Sequence, residues 1–132
     1  MADTLQFDLV SPERRLAAME ATMVEIPGME GDFTAMPEHA PFLSTLRPGV
    51  VTVHSGQKTE AYFVTGGFAE ISPDAATVLA ETAMERDDLT RAFLDDQIAA
   101  AEAALADAPD HMKTAAAQRV NDFRATLALV GG

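Results

Sequence analysis

Four titratable side chains lie close together in the stretch from Gly28 to Gly49, which reads GMEGDFTAMPEHAPFLSTLRPG. They are Glu30, Asp32, Glu38 and His39. Loops on rigid scaffolds commonly carry contacts, so these charged and titratable groups could touch a partner. They could equally do no more than solvate a turn, and the residues by themselves leave both interpretations open.

The same stretch is predicted to be a shaped loop. Gly28, Gly31, Pro37 and Pro41 interrupt it, and proline cannot donate a backbone hydrogen bond within a helix or a central strand. Strand-like runs lie on both sides of the stretch. We therefore expect a rigid β scaffold that presents this loop to a partner.

The sequence contains no recognisable catalytic, metal or cofactor constellation. Ser44, Ser55 and Ser72 lie outside any nucleophile elbow, and Gly66-Gly67-Phe68 lacks the spacing of a phosphate-binding loop. The chain has no cysteine, and its three histidines are scattered without the spacing of metal ligands. These features favour a binding protein that is not an enzyme and that carries no metal and no cofactor.

The composition is strongly acidic, with 9 basic and 21 acidic residues and a formal net charge of −12. Such a chain repels phosphate backbones and anionic lipid, so nucleic acid is not an expected partner. No apolar run approaches the roughly 18 residues of a membrane span, and the first residues lack the features of a secretion signal. We expect a cytoplasmic protein without a membrane span that could still dock on a membrane complex.

Short runs with period-two alternation predict an antiparallel sandwich or barrel over the first two-thirds of the chain. The predicted strands are Leu5–Leu9, one or two between Arg14 and Ile26, a hairpin over 50–64 that turns at 54–57, and Phe68–Ile71 and Ala76–Ala80. The composition changes near Met84, beyond which the pattern becomes helical.

Residues 87–132 predict two helices joined by a short turn. Asp87-Asp88 is the predicted N-cap of the first helix, which is rich in alanine from Leu89 to Ala106, and the segment 107–110 ends it. Apolar residues three or four apart form a seam on each helix. The first seam is Leu94, Ile98, Ala101 and Leu105, and the second is Met112, Ala116, Val120, Phe123, Leu127 and Val130. The predicted fold class is α+β, mainly β, with an N-terminal antiparallel β-sandwich over 1–86 and a C-terminal antiparallel two-helix hairpin over 87–132.

Several motifs occur in an order that is typical of one family. They are Leu9–Glu13 (LVSPE), Gly28-x-Glu30-Gly31, Pro37-x-His39-Ala40-Pro41, Leu46-Arg47-Pro48-Gly49, Gly66-Gly67-Phe68-x-Glu70 and Thr77-Val78-Leu79-Ala80. Together with the length and the predicted helical hairpin, they make essentially the whole chain resemble the epsilon subunit of the bacterial F-type rotary ATP synthase, the equivalent of the mitochondrial delta subunit.

The resemblance implies a non-catalytic subunit of the central stalk, or rotor, peripheral to the cytoplasmic face of the inner (plasma) membrane. In that family the β-sandwich binds the gamma subunit and the c-ring, and so helps proton-driven rotation reach the catalytic sites. By motif position, Glu30, Asp32 and His39 would form the c-ring interface. Family members often have glycine where this chain has Thr34 and Glu38, so the stretch would be stiffer here and more acidic.

The resemblance also implies an alternative role, in which the hairpin senses nucleotide. Some members bind ATP through an [Ile/Leu]-Asp-x-x-Arg-Ala motif, and Asp88-Leu89-Thr90-Arg91-Ala92 matches its last five positions, whereas Asp87 replaces the leading aliphatic residue. A regulatory ATP site would then comprise Asp88, Arg91 and Ala92, with Arg119 and Arg124 as candidate phosphate contacts.

In some members the extended hairpin inhibits ATP hydrolysis by approaching acidic surfaces of the alpha and beta catalytic subunits. Residues 87–132 contain four Lys or Arg against eight Asp or Glu, a net charge of −4. Because like charges oppose that contact, inhibition by this hairpin is predicted to be weak or absent.

Overall fold

The computed structural model describes residues 3–130. The chain divides into two compact units, with the boundary between Arg86 and Asp87. The first unit is built of β-strands and the second of helices. The fold class predicted from the sequence, a β-sandwich followed by two helices, is therefore confirmed.

Ten strands occur among residues 3–130. They are β1 (Leu5–Val10), β2 (Arg15–Ala21), β3 (Met23–Gly28), β4 (Gly31–Ala35), β5 (Phe42–Leu46), β6 (Gly49–Ser55), β7 (Lys58–Val64), β8 (Gly67–Ser72), β9 (Ala75–Ala80) and β10 (Ala83–Glu85). They pair in the order β10-β7-β6-β3-β5-β8-β9-β1-β2, and β4 pairs with β3. The strands β3 and β5 share a single residue pair, Gly28 with Leu46, so the sheet folds there into two layers.

The core lies between the layers and follows the predicted alternation. In β1, Leu5, Phe7 and Leu9 are buried. The ring of Phe7 stacks against Tyr62 of β7, with the centroids 6.4 Å apart, and so joins one layer to the other. Burial of a side chain of this size stabilises the fold by about 1.5–3 kcal/mol.

One pairing departs from the antiparallel prediction. Strand β1 runs parallel to β9, with Phe7 opposite Ala76, while the other described pairings are antiparallel. Two parallel neighbours need a long connection, and here β2 to β8 supply it, so no local pattern could predict this pairing.

Gly67 opens β8 at a position that suits only glycine. Its φ is +131°, and a Cβ there would lie 2.1 Å from the carbonyl oxygen of Leu79. The second glycine of the Gly66-Gly67 motif is thus explained by the close approach of β9.

A 3-10 turn, Arg86–Asp88, spans the boundary between the units. The second unit contains two α-helices, α1 (Arg91–Asp107) and α2 (Lys113–Thr126), with 3-10 turns at Asp110–Met112 and Leu127–Leu129. The predicted N-cap was wrong. Thr90 caps α1, since its hydroxyl accepts a hydrogen bond from the Phe93 N–H at 3.1 Å, whereas Asp87 and Asp88 lie in the preceding 3-10 turn.

The predicted seams are buried only in part. Leu94 and Ala101 of α1 and Val120 and Phe123 of α2 are buried, and most of the remaining seam positions are half-buried. Met112 is 50% exposed, contrary to prediction, because it belongs to the 3-10 turn before α2, where the helical period does not apply. No helix among residues 3–130 is long and apolar enough to cross a membrane.

Candidate functional site

The stretch from Gly28 to Gly49 is mostly strand, and the prediction of a shaped loop was wrong over β4 and β5. Strand β4 pairs with β3, Phe33 lying opposite Ile26, and β5 pairs with β8, Leu43 lying opposite Glu70. The connections within it are residues 29–30, 36–41 and 47–48. The β8 partners of β5 lie more than twenty residues away along the chain, so local turn chemistry could not reveal them.

The β3–β4 hairpin ends in a tight turn that presents Met29 and Glu30. A Cβ at Gly28 would lie 2.6 Å from the Gly31 carbonyl oxygen, so the two arms can approach this closely only with glycine there. Met29 is 47% exposed, and Glu30 is exposed as well. Among residues 3–130, Glu30 has no hydrogen-bond or ion-pair partner.

Asp32 lies on the returning arm of the hairpin and forms an ion pair with Arg47. The Arg47 side chain is 27% exposed and that of Asp32 is 72% exposed. Arg47 also donates from Nε to the Gly28 carbonyl oxygen at 3.2 Å. Asp32 is thus partly neutralised, although much of its carboxylate still faces solvent.

Residues 36–41 form the second turn, which carries Glu38 and His39. Glu38 has a φ of +69°, and its N–H donates to the Pro73 carbonyl oxygen at 2.7 Å. His39 donates from Nδ1 to the carbonyl oxygen of Ala40 at 2.5 Å, and its ring lies 6.4 Å from that of Phe42. The imidazole is therefore directed towards its own turn.

A groove of about 420 Å³ lies between the β3–β4 hairpin and β5, and we call it the docking groove. It is lined by Met29, Glu30, Gly31, Asp32, Phe33, Phe42, Leu43, Ser44 and Thr45. Phe33 and Phe42 meet edge to face, with ring centroids 5.2 Å apart. The structure thus brings Glu30 and Asp32 to one groove, while His39 reaches it only through Phe42.

Sequence reasoning missed the apolar part of this site. Phe42 is 46% exposed, Leu43 is 67% exposed and Met36 is 51% exposed. One signal was available, because successive residues of a strand point to opposite faces. The adjacent pair Phe42-Leu43 therefore required at least one large apolar side chain outside the core.

The apolar surface continues across the solvent-facing side of β5, β8 and β9. Phe68 lies directly opposite Leu79 and beside Thr45 in the strand ladder, and Leu43 joins this surface to the docking groove. Phe68 is 52% exposed and Leu79 is 49% exposed. We call this surface the outer face. An exposed apolar patch next to acidic groups is typical of a protein-binding site.

The candidate nucleotide residues lie at the start of α1 and along α2. Asp88 ends a 3-10 turn, and Arg91 and Ala92 are exposed in the first turn of α1. Arg124 forms an ion pair with Glu102 of α1, and the Arg119 guanidinium lies 5.0 Å above the Phe123 ring. Both arginines therefore have partners within the hairpin, and nucleotide binding stays the alternative interpretation.

Chemically, the docking groove offers recognition and no reaction centre. Its lining includes two aromatic rings and two carboxylates, a combination that fits a protein segment with apolar and cationic side chains. Among residues 3–130, no group of three His, Asp or Glu side chains is placed to hold a metal ion.

Comparison with known proteins places the chain among subunits of one complex. The family model described as ATP synthase, Delta/Epsilon chain, beta-sandwich domain matches residues 4–86. An ATP synthase epsilon chain from Jannaschia sp. (strain CCS1) is 51% identical, over 97% of this chain and 98% of the relative. The ATP synthase epsilon chain of Rhodobacter capsulatus is also 51% identical, over 95% of each chain.

Two solved structures share the fold at low sequence identity. A chain of the Euglena gracilis mitochondrial ATP synthase aligns with a TM-score of 0.74 and 17% identity, over 97% of this chain and 82% of its own length. A chain of the Tetrahymena thermophila mitochondrial ATP synthase aligns with a TM-score of 0.54 and 14% identity, over 64% of this chain and 68% of its own length.

Proposed function

Because the chain belongs to the ATP synthase delta/epsilon family, whose epsilon chain is a non-catalytic subunit, we propose that it acts as a central-stalk subunit that couples c-ring rotation to ATP synthesis. The observation that carries this proposal is the docking groove, where exposed Phe42 and Leu43 lie beside the carboxylates of Glu30 and Asp32. The Euglena and Tetrahymena structures with the same fold are described as including the c-ring, which supports this assignment.

The docking groove is the proposed contact with the c-ring, whose polar loops are rich in basic and amide groups in this family. Leu43 and Met29 would lose contact with water against the loops, and burial of a side chain of this size is worth about 1.5–3 kcal/mol. Glu30 and Asp32 would orient the loops through charge-assisted hydrogen bonds. His39 supports the groove from its edge through Phe42.

The outer face is the proposed contact with the gamma subunit. Phe68 and Leu79 are paired across two strands, so they give a rigid apolar patch of the kind that lies at the centre of stable interfaces. Since Leu43 belongs to both surfaces, gamma and the c-ring would bind side by side. The subunit would thereby be peripheral to the cytoplasmic face of the plasma membrane, held there by its partners.

For the helical hairpin we propose no strong inhibition of ATP hydrolysis. Its net charge of −4 opposes contact with the acidic surfaces of the catalytic subunits that the blocking helix approaches in this family. Nucleotide sensing through Asp88, Arg91 and Ala92 is the alternative role, and ATP would be its regulatory ligand.

Proton-driven ATP synthesis by complexes reconstituted with altered chains tests the proposed coupling. Leu43→Ser, Asp32→Lys and His39→Ala should lower synthesis while the free chain keeps its circular dichroism spectrum. Leu129→Ser is the matched control, since Leu129 is 42% exposed in the second unit. Unchanged synthesis with Leu43→Ser and Asp32→Lys would count against the docking groove as the ring contact.

A further inference from the structure

We propose that Arg47 is a positioning residue, which fixes the β3–β4 hairpin so that Met29 and Glu30 meet the partner in one orientation. This inference rests on the proposed docking of the groove. It also assigns a role to Asp32, whose carboxylate would hold Arg47 as well as face the partner.

Arg47 contacts three positions of the hairpin. Its backbone N–H donates to the Pro27 carbonyl oxygen at 3.1 Å, and its Nε donates to the Gly28 carbonyl oxygen at 3.2 Å. Its terminal guanidinium nitrogen pairs with Asp32 on the opposite arm. One side chain therefore ties together the outgoing and the returning arm on either side of the turn.

The hairpin has few other attachments near its tip. Within the described residues, β4 pairs with β3 alone, and β3 meets β5 only at Gly28 and Leu46. Beyond that pair, the Met29 N–H donates to the Thr45 carbonyl oxygen at 2.8 Å, and the Phe33 ring of β4 meets the Phe42 ring of β5. Because a two-stranded ribbon is only marginally stable by itself, the Arg47 contacts should add to the rigidity of the tip.

The contacts need arginine and not merely a positive charge. A guanidinium presents several N–H donors in a fixed plane, so Nε can bind Gly28 while a terminal nitrogen binds Asp32. A lysine carries its three N–H donors on one nitrogen and lacks this planar spacing, so it would hold the two acceptors less well. Asp32 is engaged by Arg47, whereas Glu30 has no partner among residues 3–130. Glu30 is therefore the carboxylate of the docking groove that can pair with a cation of the partner.

The test compares Arg47→Gln, Asp32→Asn and the double variant as full-length chains. Affinity is measured for ATP synthase complexes depleted of this subunit. We expect each single change to weaken binding by about tenfold and the double change to add little, because both remove the same ion pair. Arg47→Lys should recover part of the loss. Arg14→Gln, which removes an exposed arginine elsewhere on the sandwich, is the control.

Amide hydrogen exchange of the free chain supplies a readout that does not depend on any partner. Arg47→Gln should speed exchange at Met29 and Gly31 and leave the strands β1 and β9 unchanged. Asp32→Asn, which is nearly isosteric, should give the same local pattern if Arg47→Gln proves too unstable to study.

Three results would overturn the inference. The first is unchanged binding with Arg47→Gln, and the second is unchanged hydrogen exchange at the hairpin tip. The third is additive losses of affinity in the double variant, which would mean that Asp32 acts by contacting the partner and not by holding Arg47. Failure of the unaltered chain to bind the depleted complex would instead refute the proposed function, and the exchange experiment would still decide whether Arg47 holds the hairpin.

Discussion

Replacement of Glu38 by glycine should stabilise the sandwich. Glu38 has a φ of +69°, in the left-handed region, which costs a residue with a Cβ about 1–2 kcal/mol. Glycine avoids that penalty but loses about 0.5–1 kcal/mol more conformational entropy on folding. The hydrogen bond from residue 38 to Pro73 uses the backbone N–H and is therefore retained. We expect the free energy of unfolding to rise by slightly less than 1 kcal/mol, on the order of the difference between these two effects.

The chain offers a convenient probe for this measurement. It contains one tyrosine and no tryptophan, so tyrosine fluorescence during urea denaturation reports on Tyr62 in the sandwich alone. For a domain of this size, a gain of slightly less than about 1 kcal/mol corresponds to a melting temperature roughly 3–6 °C higher.

Two further variants separate backbone strain from charge. Glu38→Gln removes the negative charge from an acidic surface but keeps the Cβ. Glu38→Asn removes the same charge, and asparagine tolerates the left-handed region better than most residues. The expected order of stability is Gly, then Asn, then Gln. If Glu38→Gln stabilises the protein as much as Glu38→Gly does, charge repulsion is the cause and the argument from strain is refuted.

Four other perturbations have defined outcomes. Gly67→Ala should destabilise the sandwich by about 3 kcal/mol in urea denaturation, because its Cβ would clash with the Leu79 carbonyl at a positive φ. Burial, followed by the charges of Glu60 and Glu85, raises the pKa of Tyr62 above its ordinary value of 10.0. The free energy of unfolding should therefore fall as pH rises from 10 through the folded-state pKa, and Tyr62→Phe should remove this pH dependence. Deletion of residues 88–132 should leave ATP hydrolysis by the assembled complex nearly unchanged. Calorimetric titration with millimolar ATP and Mg²⁺ should show no saturable heat, since Arg119 and Arg124 have partners within the hairpin.

Each of these expectations has a clear opposite. A fully stable Gly67→Ala variant would mean that β8 and β9 can separate at little cost, and an unaltered alkaline slope in Tyr62→Phe would place the titration elsewhere. A marked rise in hydrolysis after the deletion would establish the hairpin as an inhibitor. Saturable ATP binding that Arg91→Ala abolishes would establish the nucleotide-sensing alternative.

The sequence by itself determined the elements whose signals are local. The alternation of Leu5, Phe7 and Leu9 predicted β1, and the hairpin of β6 and β7 follows from two β-rich runs around a short turn. The switch to the helical period near Met84 predicted two helices, because an alanine-rich run without glycine or proline favours a helix whatever surrounds it.

Only the tertiary structure decided what the stretch from Gly28 to Gly49 looks like and what it presents. Its glycines and prolines suggested one loop, but β4 and β5 become strands because β3 and β8 offer them backbone partners. The exposure of Leu43 and the pairing of Asp32 with Arg47 likewise depend on where other strands pass. Periodicity and turn chemistry act over a few neighbouring residues, whereas strand pairing and ion pairs join distant ones, so the carboxylates could be found from the sequence but the groove that holds them could not.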